Sequence, residues 1–228
     1  MIDPVSGSTS RPVTSESAGT SGAVVTLRTE SPAHGGHVVA RQGTRVVFVR
    51  DAAPGELVEV ELTDADPNAR FWRGRTVSVL EPSPDRVEHV WPEASGDGVG
   101  GAELAHLTLD AQRAWKAEVL RSTMRRIAHL DVSPSVQALP GEDERGGLGT
   151  RTRVELVADS QGRAAMYRHR SHELVPVTSL PLAVPSIEAS GVLTRRWRPG
   201  ERLQIVAPGG GEAVILRDGE PETKRRTV

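Results

Sequence analysis

Hydrophobic and polar residues alternate in short runs between residues 23 and 80 of this 228-residue chain. The runs GHVVARQ, TRVVFVR and ELVEVEL have the period of two that is typical of strands with one buried face. Gly43 and Pro54-Gly55 separate the runs, because proline presets a turn and glycine permits a positive φ. Four or five such strands in so short a segment predict a small closed antiparallel barrel of the oligonucleotide-binding (OB) kind.

The pattern changes to a helical period at residues 108–130, TLDAQRAWKAEVLRSTMRRIAHL. Thr108 is the predicted N-cap, Asp110 favours the positive end of the helix dipole, and Arg125 and Arg126 favour its negative end. We expect a buried stripe at helical spacing. Its members are Ala111, Trp115, Val119, Leu120, Met124 and Ile127.

Further strand patterns follow the helix, in TRTRVELVAD, RAAMYRH, RLQIVA and EAVILRD. The predicted fold is therefore a β barrel followed by an α+β domain. The predicted boundaries are a disordered tail at 1–22, the barrel at 23–80, a linker with a glycine-rich loop at 81–107, the α+β domain at 108–220 and a C-terminal tail at 221–228.

Composition excludes several kinds of chemistry. A net charge of −2 means that any basic surface is a local patch. The absence of cysteine excludes disulfides, a thiolate nucleophile and a thiolate-held metal. No apolar run approaches the roughly 18 residues of a membrane span, and the N-terminus lacks a signal-peptide pattern, so we expect a cytoplasmic protein with no membrane partner.

The linker contains a glycine cluster, GVGGAELAH, at residues 98–106. A dinucleotide-binding loop would follow a hydrophobic strand, and a P-loop would contain Gly-Lys followed by Ser or Thr. This segment follows a polar linker and has no lysine. The pattern therefore disfavours phosphate binding by the glycines.

The same segment, together with residues on its C-terminal side, resembles a known family. Gly98-Val99-Gly100-Gly101-Ala102, His106-Leu107, Gln112 and Lys116 are similar to the G-C-G-G-C…H-L…Q…K segment of the uracil-5-methyltransferases that modify ribosomal and transfer RNA. The segment AHGGHVVARQGTRVVFVRDAAPGELVEVEL resembles the RNA-binding TRAM domain of these enzymes, and residues 148–187 resemble their central domain. The resemblance extends over about residues 30–217.

The resemblance implies an iron–sulfur cluster held by four cysteines. Val99 and Ala102 occupy two of those positions here, Ser179 occupies a third, and the fourth falls near Trp91-Pro92. Aliphatic and hydroxyl side chains do not supply the thiolates that such a cluster needs. We therefore expect no iron–sulfur cluster and a loop repacked as an apolar turn.

The family's catalytic half is implied to be an α/β domain that binds S-adenosylmethionine and carries a cysteine nucleophile and a glutamate base. The sequence stops about where that domain is expected to begin. The resemblance thus implies an RNA-binding, substrate-presenting N-terminal portion that acts on rRNA or tRNA and is inactive alone, with S-adenosylmethionine bound only by the C-terminal domain. The alternative is a stand-alone RNA-binding or adaptor protein that acts with a separate catalytic chain. An independent enzyme is disfavoured because no nucleophile–base pair is recognisable.

Arginines beside aromatic residues suggest how RNA is bound, because guanidinium groups pair with phosphate and exposed rings stack on bases. The alternative is that the arginines only solvate strand faces and that Trp72 is a core residue. The candidate RNA-binding residues are Arg70, Phe71, Trp72, Arg73, Arg75, Lys116, Arg151, Arg153, Arg168 and Arg170.

Two short histidine pairs, His34 with His37 and His169 with His172, are weak metal signals. They lack a third carboxylate or cysteine ligand nearby in the sequence. We interpret them as turn and surface residues, and we predict no catalytic residue and no metal site.

Overall fold

A computed structural model describes residues 20–209 and 211–222. Most of the two predicted tails, 1–22 and 221–228, lies outside these residues. Five strands form a closed barrel in the order β1-β2-β3-β5-β4, with β3 and β5 parallel and the other pairs antiparallel. This confirms the predicted OB-like barrel. The strands are β1 Val24–Pro32, β2 Val38–Gln42, β3 Arg45–Arg50, β4 Leu57–Asp64 and β5 Phe71–Glu81.

The alternating pattern of β4 decides which residues fill the barrel. Val58, Val60 and Leu62 are fully buried, while the residues between them face outward. β5 passes so close to β4 that a Cβ on Gly74 would lie 2.4 Å from Val60 Cγ1. A glycine at this position therefore allows the barrel to close.

A buried carboxylate attaches the segment after the barrel to its wall. Glu56 is fully buried and accepts hydrogen bonds from Ala53 N at 2.7 Å, Ser83 N at 3.0 Å and both Nε and Nη2 of Arg86 at 2.6 Å. Burial alone would raise the pKa of Glu56, but the Arg86 guanidinium and the two amides hold it below its usual value.

Helix α1, Leu109–Thr123, ends in one wider turn, Met124–Ala128. Thr108 caps it by accepting a hydrogen bond from Ala111 N at 3.4 Å. Trp115 is buried in the barrel's core and donates to Ala33 O at 3.2 Å, so the helix packs against the barrel rather than against the second sheet. The predicted stripe is wrong at Leu120 and Ile127, which are 47% and 69% exposed because this end of the helix extends past the barrel.

The second unit is a six-stranded antiparallel sheet in the order β11-β10-β9-β6-β7-β8. One face packs a core around Leu156, Leu203 and Ile205, with Ile187 of a short helix, α2, Pro185–Ala189, beneath it. Within the described part of the chain, no helix is long and apolar enough to cross a membrane. The strands are β6 Arg153–Ala158, β7 Ala164–Tyr167, β8 Leu174–Pro176, β9 Arg202–Val206, β10 Val214–Arg217 and β11 Glu220–Pro221.

Candidate nucleic-acid interface

A cleft of about 830 Å³ lies where the barrel, the end of α1 and the turn after β7 meet. We call it the barrel cleft. The three elements are far apart in the sequence, and the fold brings them together around one opening. The side chains that matter below are His37, Phe48, Phe71 and Arg73 from the barrel, Arg126 from the end of the helix, and His169 and Arg170 from the turn.

Aromatic rings form the barrel wall of this cleft. Phe48 and Phe71 meet edge to face with their centroids 5.3 Å apart, and His37 meets Phe48 at 6.4 Å. Phe71 is 37% exposed, and the Arg73 guanidinium carbon lies 4.8 Å from the centroid of its ring. A partly exposed ring beside a guanidinium group is an arrangement on which nucleic-acid bases stack.

The cleft is lined by three arginines, Arg73, Arg126 and Arg170, and one carboxylate, Glu103, in a chain whose net charge is −2. Arg73 is compensated by Asp64 at 3.0 Å. Across residues 20–209 and 211–222, neither Arg126 nor Arg170 has an ion-pair partner. Burial lowers the pKa of His37 and of His169, and the positive charges of Arg50 and Arg170 lower both further. Both imidazoles are therefore predominantly neutral at pH 7, and the arginines provide the positive potential.

The glycine cluster of the linker fixes the turn that presents His169 and Arg170. Val99 forms an antiparallel bridge with Arg168, and His169 N donates to Gly98 O at 3.2 Å. A Cβ on Gly98 would lie only 2.0 Å from Glu93 O, so glycine is required at that position. The cluster is thus a tight structural turn.

The loop around Val99 is buried against the second unit. Val99 is fully buried and Trp91 is 2% exposed in the core of the second unit, and Ala102 packs against the same core. Ser179 precedes the buried Leu180. The chain has no cysteine, so these residues do not fit an iron–sulfur cluster.

Histidines supply no metal centre in the described ranges, where no group of three His, Cys, Asp or Glu side chains is placed to hold an ion. His34, His37 and His169 line the barrel cleft. His172 does not line that cleft, and it meets the ring of Tyr167 edge to face at 6.4 Å.

Three of the predicted RNA-binding residues, Phe71, Arg73 and Arg170, line the barrel cleft. Trp72 does not, because its side chain points into the barrel. It is 6% exposed, and its Nε1 donates to Asp66 O at 2.9 Å. Trp72 is therefore a core residue with no free face for a base, which corrects its place among the candidates.

The other predicted cations lie outside the cleft, and most have partners within the chain. Arg75 pairs with Glu61 at 2.6 Å, Arg153 with Glu155 at 2.7 Å and Arg168 with Glu173 at 2.9 Å. Arg151 donates to Gly101 O at 2.5 Å and lines a separate crevice with Lys116. Arg70 is exposed.

Four of the cleft residues named above, His37, Phe48, Arg126 and His169, are not among the RNA-binding residues predicted from the sequence. Phe48 belongs to a strand pattern that also fits a purely structural strand. Arg126 lies at the end of a helix, where the helix dipole alone explains an arginine. Only the neighbouring RFWRGR segment gave a signal, because it combines arginine with aromatic residues in one strand. The convergence of the barrel, α1 and the β7–β8 turn has no local sequence pattern.

Comparison with known proteins identifies the barrel and the family. Residues 20–80 match the TRAM domain. An uncharacterized RNA methyltransferase of Bifidobacterium longum is 41% identical over 214 residues, which cover 85% of this chain and 49% of that protein. Another from Streptomyces avermitilis is 35% identical over 198 residues, 83% of this chain and 46% of the relative.

A 23S rRNA (uracil(1939)-C(5))-methyltransferase, RlmD, of Vibrio parahaemolyticus is 29% identical over 194 residues, which cover 81% of this chain and 43% of the enzyme. The chain thus spans about half the length of the curated relatives it matches. With its TRAM barrel and the unit that follows, the chain belongs to the RNA uracil-5-methyltransferase family.

Proposed function

We propose that this chain binds RNA in the barrel cleft and presents it for methylation at C5 of a uracil in rRNA or tRNA, in the cytoplasm. The observation that carries the proposal is the partly exposed ring of Phe71 beneath the Arg73 guanidinium, with Arg126 and Arg170 across the same opening and without ion-pair partners among the described residues. Rings bind bases with little sequence preference, and arginines bind the phosphates that link them. The names of the RNA methyltransferase relatives support RNA as the ligand.

The composition and fold of the two units support RNA binding rather than methyl transfer. In this family the methyl group comes from S-adenosylmethionine, and the reaction uses a cysteine nucleophile, which these 228 residues lack. The second unit is an antiparallel sheet, whereas an S-adenosylmethionine site is expected in an α/β domain. We therefore propose that methyl transfer requires residues beyond this sequence and that the chain alone is inactive.

Two measurements test the inactivity. Calorimetric titration with S-adenosylmethionine should show no binding, and tritiated-methyl transfer to unmodified ribosomal RNA should stay at background. Transfer above background would mean that the chain carries a catalytic site of its own.

RNA binding is tested by fluorescence anisotropy with a labelled single-stranded oligouridine. Phe71→Ala removes the ring and should weaken binding about 5- to 150-fold, since stacking on one aromatic ring contributes about 1 to 3 kcal/mol. Thermal unfolding of the same variant should stay close to that of the unmodified chain, because Phe71 is partly exposed. An unchanged affinity would contradict the proposed site.

The salt dependence tests the arginines separately. Arg126→Gln combined with Arg170→Gln should flatten the slope of log affinity against log salt by about 1.4, because each phosphate contact on a single strand contributes about 0.7. The matched control is Arg196→Gln, which removes an exposed arginine outside the barrel cleft. Equal slopes for the double variant and the unmodified chain would exclude phosphate contacts by Arg126 and Arg170.

A further inference from the structure

A second groove, of about 1070 Å³, runs along the open face of the second sheet. We call it the sheet groove. His169 and Arg170 line both this groove and the barrel cleft, so the two openings adjoin at the β7–β8 turn. The other residues used below are Glu155, Tyr167, His172, Arg202, Gln204 and Asp218.

The sheet groove repeats the chemistry of the barrel cleft. Tyr167 is 47% exposed and is supported by the edge-to-face contact with His172. Arg202, on strand β9 and separated from β7 by β6, has no side-chain ion pair within residues 20–209 and 211–222. Gln204 lies two residues further along β9 and donates through Nε2 to Glu155 at 3.1 Å, which leaves its amide oxygen as an acceptor for a base edge.

Both carboxylates that line the sheet groove form ion pairs with arginines. Glu155 pairs with Arg153 at 2.7 Å, and Asp218 pairs with Arg198 at 2.8 Å. The uncompensated charge on the wall of the groove is therefore positive, at Arg202 and at Arg170.

The turn between the two openings is firmly held. Arg168 forms a two-pronged pair with Glu173, at 3.0 and 2.9 Å, and donates to Asp97 O at 2.6 Å. Arg170 follows with a φ of 53°, in the left-handed region that residues other than glycine rarely adopt. Arg168 is thus a positioning residue, and the turn places Arg170 where a chain leaving one opening would enter the other.

We propose that the sheet groove is a second nucleotide subsite, so that a single RNA strand passes from the barrel cleft over Arg170 and stacks a further base on Tyr167. This inference rests on the proposed RNA binding in the barrel cleft and extends it. It predicts a footprint longer than one cleft, with a stacking ring at each end and an arginine between them.

Anisotropy with two labelled oligouridines, of about 4 and about 12 nucleotides, separates the two subsites, since single-strand sites span roughly 4 to 16 nucleotides. Tyr167→Ala should weaken the longer RNA about fivefold or more and leave the shorter RNA unchanged, whereas Phe71→Ala should weaken both. Tyr167→Phe retains the ring and should retain the affinity. Val214→Ala, an exposed position at the far side of the sheet, is the matched control.

The outcomes are distinguishable. If the longer RNA binds Tyr167→Ala as tightly as the unmodified chain, the sheet groove is not a subsite, although the barrel cleft remains one. If neither oligouridine binds the unmodified chain, the proposed function fails, and this inference fails with it. A loss for Tyr167→Ala that is equal on both RNAs would also overturn the proposal, because the shorter strand would then already occupy the groove.

Discussion

Acidification should destabilise the protein through one buried imidazole, that of His106. The residue belongs to the His-Leu pair that carried part of the family resemblance, and it is 3% exposed. Burial is the largest cause that lowers the pKa of His106 from 6.5 to about 4, and it outweighs the opposing effects of the Ala52 backbone and of Glu56, while the neighbouring Arg86 and His89 lower the pKa further. The folded protein therefore holds His106 neutral over a pH range in which the unfolded chain is protonated.

The sign follows from that difference. Between pH 6.5 and about 4 the unfolded chain binds a proton that the folded protein does not, so the free energy of unfolding falls as the pH falls through this window. At about 1.36 kcal/mol for each pH unit, the loss amounts to about 3 kcal/mol. Glu56, whose pKa is lowered, adds to the loss at acid pH, while Asp51, whose pKa is raised by burial, opposes it.

Urea unfolding of the unmodified chain and of His106→Leu, between about pH 7 and pH 4.5, isolates the contribution of His106. The unmodified chain should lose stability more steeply than the variant, because the carboxylates are common to both. His172→Gln changes an exposed histidine and should follow the unmodified chain. Parallel pH profiles for the unmodified chain and His106→Leu, or an NMR titration of His106 near pH 6.5, would refute the reasoning.

Four further predictions concern the Glu56–Arg86 pair, the loop around Val99 and the barrel cleft. Arg86→Leu leaves the Glu56 carboxylate buried and unpaired and should cost about 3 to 5 kcal/mol in chemical denaturation, with part of the loss recovered by adding Glu56→Gln. Val99→Ala should lower the free energy of unfolding by about 2 kcal/mol, because it opens a cavity in the core of the second unit. Elemental analysis of the purified protein should find no iron, and near-stoichiometric iron with a broad visible absorbance would contradict the apolar loop. RNA affinity should rise as the pH falls below 6.5, because both pKa values are lowered from that usual value and protonation of His37 and His169 adds charge to the barrel cleft; a flat profile in anisotropy would place both imidazoles away from RNA.

The barrel could be predicted from the sequence because each strand carries its own alternating pattern. The inward set of β4 can be read directly as Val58, Val60 and Leu62. The helix and its cap at Thr108 can also be predicted. A hydrophobic period of 3.6 residues indicates only that one face of the helix is buried, and it does not indicate what that face packs against. Trp115 belongs to the core of the barrel, and no local pattern distinguishes this from packing against the second sheet.

The candidate site was harder to predict because its residues meet only through long-range contacts. Phe71 and Trp72 are adjacent and chemically alike, yet strand alternation exposes the first and buries the second. Arg168 and Arg170 are two residues apart in the sequence, but Glu173 pairs with the first, whereas the second has no ion-pair partner in the described part of the chain. Which arginine is available to RNA is thus decided by tertiary partners rather than by composition.

The location of the RNA is the central claim, and photo-crosslinking tests it most directly. An oligonucleotide substituted with 4-thiouridine is irradiated on the full chain, and the adducts are mapped by mass spectrometry. We expect adducts on the peptides that contain Phe71 and Arg170, and their loss in Phe71→Ala. Adducts confined to peptides outside the barrel cleft, with an unchanged pattern in Phe71→Ala, would contradict this claim.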